Sequence, residues 1–266
     1  MIYLVALLMS HFYPIVDYII FLEYNLGKKV MAMERNRVEL ALKEIYDGWQ
    51  LGSEKENNGY SAMFRMGFPD EYIDSDRPLL MYVGQECLDC DSKKTQEWIR
   101  KYQIVQRTKV YNKEIDRGTN KSPFWNFYRR LSECGYDVAW NNLDKFHPIG
   151  EQRLSAEDGA TFNQPYGEEN QSVLQREIAL LKPKVLLLMI GKDKYIDSLA
   201  AAFSLSKEIL DAHKPSHEVL VHDITNVLGL EDVTVLWTYH PKHLQQSKNY
   251  RKALNEIKQR IDNRRI

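Results

Sequence analysis

The chain has 266 residues, 44% of them apolar and 27% charged, with a formal net charge of −1. These are the values of a soluble globular protein long enough to bury a full core as one domain. The near-zero charge excludes a global electrostatic pull toward nucleic acid or membrane, so any such partner must be held by a local basic patch.

Residues 1–33 read as an apolar N-terminal extension and residues 34–266 as a single domain. Met1 to Leu22 is strongly apolar, but His11, Pro14 and Asp17 interrupt it, and it lacks the positive n-region and small-residue cleavage site of a signal peptide. The run is long enough for a membrane anchor, with Lys28 and Lys29 behind it. The favoured reading is a packing arm, or a start placed too early with Met31 or Met33 as the true beginning. The expected location is cytoplasmic.

From Glu34 the pattern is helical, with Val38, Leu42, Ile45 and Trp49 on one face up to Gly52. Residues 53–59 read as a loop and 60–76 as irregular. In Pro78 to Glu86, apolar side chains run unbroken from Leu79 to Val83, as in a strand buried on both faces. Gly84 then allows a sharp exit, and Gln85 and Glu86 project polar groups at the carboxyl end.

A helix is expected over 93–106, a loop over 112–121, and a second helix capped by Ser122 with Pro123 in its first position. That helix carries Phe124, Trp125, Phe127, Tyr128 and Leu131, and Gly135 stops it. Residues 137–142 form a second strand. A polar connection over 144–170 leads to a helix over 174–181 and a third strand closed by Gly191. A helix over 193–203, an extended or minor strand over 217–224, a fourth main strand over 232–239 and one basic helix over 242–262 complete the chain.

Strands alternating with helices imply an α/β fold: a three-layer α/β/α sandwich around a central, mainly parallel four-stranded sheet. Parallel strands end on one side, which gathers Gly84-Gln85-Glu86, Asn141-Asn142, Gly191 and His240-Pro241 along a common edge, the default place for a ligand.

The three cysteines, Cys87, Cys90 and Cys134, are odd in number and fit a reducing compartment. Cys87 and Cys90 have C-x-x-C spacing, but no second pair supplies further ligands, so they read as ordinary thiols and no metal is expected.

In order and spacing, these strand ends resemble the uracil-DNA glycosylase superfamily. Its first motif, G-Q-D-P-Y-H or G-E-x-P-G, is matched by Val83-Gly84-Gln85-Glu86. An asparagine ending the second strand, as in T-N-V-V-K-C, is matched within Asn141-Asn142-Leu143-Asp144-Lys145. The L-K-P-K-V segment and its closing glycine lie within Leu174 to Gly191, and T-x-H-P-S is matched by Thr238-Tyr239-His240-Pro241.

The resemblance implies a monofunctional, cofactor-free DNA glycosylase that takes a flipped base from DNA into a pocket and hydrolyses its N-glycosidic bond. On it, His240 stabilises the departing base at its O2, Asn142 reads the pairing edge, and Phe124 stacks on the base. Gln85 and Gly84 contact the base, Glu86 stands where a water-orienting carboxylate is found, Lys242 holds a phosphate, and Leu244 is the wedge filling the vacated stack.

The family's cluster-bearing branch has cysteines at places where this chain has none, so no iron–sulfur cluster is expected. Cys87-Leu88 replaces the Pro-Tyr or Pro-Gly of the pocket floor, Glu86 is one methylene longer than aspartate, and Lys242 replaces serine.

Ordinary readings stand beside these. His240 can be a turn histidine, Asn142 a cap, Phe124 a core side chain and Glu86 a structural carboxylate. The basic C-terminal helix and the loop cations Arg107, Lys109, Lys113, Arg117 and Lys121 can be solvated faces. The rival functions are a catalytically degenerate nucleic-acid or nucleotide binding module on the same fold, and an enzyme acting on a free nucleoside or another small molecule.

Overall fold

A computed structural model describes residues 37–56, 58–73, 75–86, 96–108, 122–150, 153–230 and 232–263. The N-terminal extension, Cys87 and Cys90, and the loop cations Lys109, Lys113, Arg117 and Lys121 lie outside the described residues. Among the described residues no helix is long and apolar enough to cross a membrane.

The fold is α/β, with helices on both faces of one sheet. The strands are β1 (Leu79–Glu86), β2 (Asp137–Asp144), β3 (Val185–Leu188), β4 (Val221–Asp223) and β5 (Thr234–Thr238), in the spatial order β2-β1-β3-β5-β4. The sheet has five strands, not the expected four. The segment read as extended or minor pairs antiparallel along β5, with Val221 opposite Thr238, and closes that edge. The other four strands are parallel. The chain runs from β1 to β2 on one side and returns to β3 on the other, so the strand order reverses between β1 and β3. In open α/β sheets, the crevice at the carboxyl ends beside such a reversal is where ligands bind.

The helices are α1 (37–47), α2 (Gln50–Lys55), α3 (Gln96–Thr108), α4 (Pro123–Glu133), α5 (Ala156–Phe162), α6 (Val173–Leu181), α7 (Ile196–Ala202), α8 (Lys207–Asp211), α9 (Thr225–Leu228), α10 (Pro241–Gln246) and α11 (Tyr250–Asp262). Strand side chains alternate between faces. Met81, Val83, Leu186, Leu188 and Val235 pack with Leu42 and Tyr46 of α1, Ile178 of α6 and Leu199 of α7. Leu80, Tyr82, Val138, Leu187 and Leu236 pack on the other face, with Phe127 and Leu131 of α4 and Leu254 and Ile257 of α11.

Three further expectations change. The connection after β2 contains α5, started by the Ser155 hydroxyl accepting from the Asp158 N–H. The single basic C-terminal helix is two helices, broken where Lys248 takes a left-handed φ of 60°. Ser122 precedes α4 as expected, with Pro123 in the first turn, but its side chain makes no capping bond.

Candidate active site

Gly84 on β1 lies level with Asn142 on β2. A Cβ at Gly84 would stand 2.7 Å from Asn142 Oδ1 and 3.1 and 3.3 Å from Cε2 and Cζ of Phe124. The glycine is required because the Asn142 and Phe124 side chains both converge there, not for an unusual backbone angle. Phe124, half-buried at the start of α4, is held by Tyr82 at a centroid distance of 4.6 Å. Its ring runs nearly parallel to that of His240, 5.9 Å away at 17°. Elements from four parts of the chain thus bring Gly84, Phe124, Asn142 and His240 together.

Asn142 is 2% exposed. Its Oδ1 accepts from the indole Nε1 of Trp140 at 3.1 Å, and its Nδ2 has no hydrogen-bond partner. An indole N–H can only donate, which fixes which end of the amide is which. The open end is therefore a donor. Leaving a buried donor unmet costs about 1–3 kcal/mol unless a ligand meets it.

His240 caps α10. Its Nδ1 accepts from the backbone N–H of Lys242 at 3.3 Å, with Pro241 as the first helical residue. Burial first, then the charges of Lys242, Arg153 and His243, push its pKa down to about 4. The ring is neutral at physiological pH. Because Nδ1 is an acceptor, the proton sits on Nε2, making His240 a second donor in the same cluster.

The side chains of Gln85 and Glu86 are already engaged. Gln85 Nε2 donates to the Ile190 carbonyl at 2.9 Å, tying the exit of β1 to that of β3. The Glu86 side chain is 3% exposed. Its Oε1 accepts from the Tyr195 hydroxyl at 3.0 Å and lies 3.5 Å from Lys194 Nζ. Its Oε2 accepts from the Leu154 N–H at 3.0 Å and lies 3.5 Å from His147 Nδ1. Asp144, level with Glu86 on β2, is also buried and accepts from Asn163 Nδ2 at 2.7 Å. Burial first, with the Glu86 charge adding, pushes the Asp144 pKa up to about 7 against the hydrogen bonds from Ser198 and Asn163.

Lys242 is exposed at the rim, where Arg153 is also exposed. The wedge expectation for Leu244 fails. Leu244 lies one helical turn beyond the start of α10, on the same side as buried Pro241, and is 0% exposed in the core beneath α4.

No motif in the sequence marks Trp140, Lys194, Tyr195, Asp144 or Arg153. Trp140 has a signal: it stands two residues before Asn142 on a strand, and so shares its face. Lys194 and Tyr195 have none, since their tie to Glu86 spans about a hundred residues.

Among the described residues no cluster of His, Cys, Asp and Glu could hold a metal ion. A cleft of ≈ 690 Å³ lined by Ile178, Lys182, Pro183, Leu230 and Val233 opens at the opposite, amino end of the sheet and contains none of these groups. No family model matches the chain, and no curated protein matches it.

Proposed function

We propose that this protein is a DNA glycosylase, built on a three-layer α/β/α sandwich of the uracil-DNA glycosylase type. It would hydrolyse the N-glycosidic bond of uracil or a related deaminated or damaged base. The observation that carries the reading is the unmet donor of Asn142, buried behind Gly84 and beside the parallel rings of Phe124 and His240.

A base extruded from DNA needs a face to stack on and partners for its pairing edge. Phe124 supplies the face. Asn142 supplies a donor that a carbonyl satisfies and that an exocyclic amine opposes with its own hydrogens, which separates uracil from cytosine.

As the glycosidic bond breaks, negative charge grows on the base and positive charge on the sugar. A neutral His240 holding its proton on Nε2 is already oriented to donate to the base oxygen without reorganising. Glu86, fixed by four groups, is a stationary negative charge suited to the sugar side. The rim cations Arg153 and Lys242 suit phosphates on either side of an extruded nucleotide.

A second reading draws on Glu86 as well. With both carboxylate oxygens occupied, Glu86 is less free to orient a water, which favours a nucleic-acid binding module that has lost hydrolysis.

Alkali cleavage of matched oligonucleotides carrying uracil, hypoxanthine, xanthine or a thymine mismatch separates the two. Strand breaks with one of these lesions are expected. Folded protein that yields none, yet binds DNA in a salt-sensitive way, would establish the second reading.

A further inference from the structure

We propose that Lys194 is a second reactive group of this crevice, an amine that condenses with the C1′ aldehyde of an abasic deoxyribose, so that the protein also cleaves the strand as an abasic-site lyase. The inference rests on the reading that an extruded nucleotide occupies the crevice with its sugar toward Glu86.

Position comes first. Beyond β3 the chain turns at Gly191, where φ is +84°, and the next residues cross the strand reversal between β1 and β3. Lys194 and Tyr195 both reach Glu86 Oε1 from there. Glu86 stands two residues beyond Gly84 on β1, level with Asp144 on β2, which puts the amine at the same strand ends as Gly84 and Asn142.

The state of the amine separates Lys194 from other lysines nearby. Lys145 is also at the end of β2, but its Nζ donates to Asn141 Oδ1 and to both oxygens of Glu177, and its side chain is 3% exposed. Lys242 is exposed in solvent. Lys194 Nζ is held by a long ion pair, 3.5 Å from the Glu86 oxygen that already takes the Tyr195 hydroxyl, and lies 5.1 Å over the Tyr195 ring, while its side chain keeps 29% exposure. Burial is the largest influence on this lysine and lowers its pKa despite the nearby Glu86. A desolvated amine has a larger free-base fraction, the form that attacks a carbonyl.

The chemistry needs no further reagent. Free-base Lys194 adds to C1′ of the open-chain sugar, and the carbinolamine takes up one proton from solvent and loses water, leaving a C1′–Nζ iminium. Loss of the C2′ proton to a carboxylate, for which Glu86 is 3.5 Å from the amine, forms the C1′–C2′ enamine, whose electrons expel the 3′ phosphate as the C3′–O bond breaks. Hydrolysis of the resulting conjugated iminium releases a proton, returns the lysine and leaves an unsaturated aldehyde on the 5′ fragment.

The test uses the full chain and an oligonucleotide with a preformed abasic site, with cyanoborohydride to reduce the iminium. A covalent protein–DNA adduct is expected from wild type. None is expected from Lys194→Ala, or from Lys194→Arg, which keeps the charge beside Glu86 but cannot form this imine. Melting curves on both variants establish that they are folded.

No adduct from wild type, or the same yield from folded Lys194→Ala, would overturn the assignment. Because the abasic site is supplied, the outcome does not depend on base release. Base release without an adduct removes the lyase alone, and a Lys194-dependent adduct without base release from any lesion removes the glycosylase reading.

Discussion

Asn141 and Asn142 are neighbours near the end of β2, and strand alternation sends their amides to opposite faces of the sheet. Asn141 Nδ2 donates to Glu177 at 2.7 Å, and its Oδ1 accepts from Lys145 and from the Asn142 N–H. Glu177 in turn accepts from Lys145 and from the Tyr46 hydroxyl, which itself accepts the Met66 N–H. Every one of these buried groups is met by a partner, and the network ties α1 and α6 to the sheet. Asn142, equally buried, has one end pinned by Trp140 and the other open. Lys145 donates to three oxygens within 2.9 Å, whereas Lys194 has only the longer 3.5 Å ion pair to Glu86. A strand end that satisfies Asn141 so completely, and leaves the neighbouring Asn142 donor unmet, retains that cost where a ligand can offset it.

The contrast can be broken from either face. The largest effect is expected from Lys145→Met, which leaves the Glu177 carboxylate buried without its cation. Stability should fall by about 3–5 kcal/mol in denaturant titrations, with base selectivity unchanged. Unaltered stability would mean the satisfied face is not structural.

Asp144→Asn tests the group between the two classes, a carboxyl that is hydrogen-bonded yet titrates only near neutral pH. Its folded-state pKa, about 7, lies above the ordinary 3.8. Wild type should therefore lose stability as pH rises from about 4 through about 7, while the unfolded chain ionises and the folded one does not. The variant should lack that loss and be more stable at pH 8 by a few kcal/mol, with the gap closing at pH 4.

Gly84→Ala places a methyl 2.7 Å from Asn142 Oδ1 and against Phe124. Base release should fall by roughly 100-fold, as expected for a displacement on the order of 1 Å at the reacting centre. A variant as active as wild type would show that no ligand uses this space.

Trp140→Phe frees the Asn142 amide to rotate. The ratio of uracil to cytosine release should drop about tenfold, the equivalent of one neutral hydrogen bond. An unchanged ratio would mean that the indole does not set the amide's orientation.

The parts of the site legible in the sequence are those fixed by local rules. The unbroken apolar run of β1 and its glycine exit locate Gly84. Alternating elements force parallel pairing, and that alone carries Asn142 and His240 to the edge holding Gly84. The edge strand β4 is three residues long, too short for a periodic signal, so the sequence pattern marks four main strands and not five. Sequence distance from His240 suggests a wedge at Leu244, but the turn of α10 that places Pro241 in the core takes Leu244 there too. The Tyr46–Glu177 and Tyr195–Glu86 contacts join residues more than a hundred positions apart and have no local signature.

The most direct test of the account compares base release from uracil-containing DNA by wild type, His240→Ala and Asn142→Ala, with folding checked by melting. Removing an oriented donor from a developing anion typically costs about 10²–10³ in rate. A loss of that size in His240→Ala, with Asn142→Ala also impaired and less selective against cytosine, is the predicted result. Wild-type release of base at a rate unchanged in both variants would contradict it and place the chemistry elsewhere on the molecule.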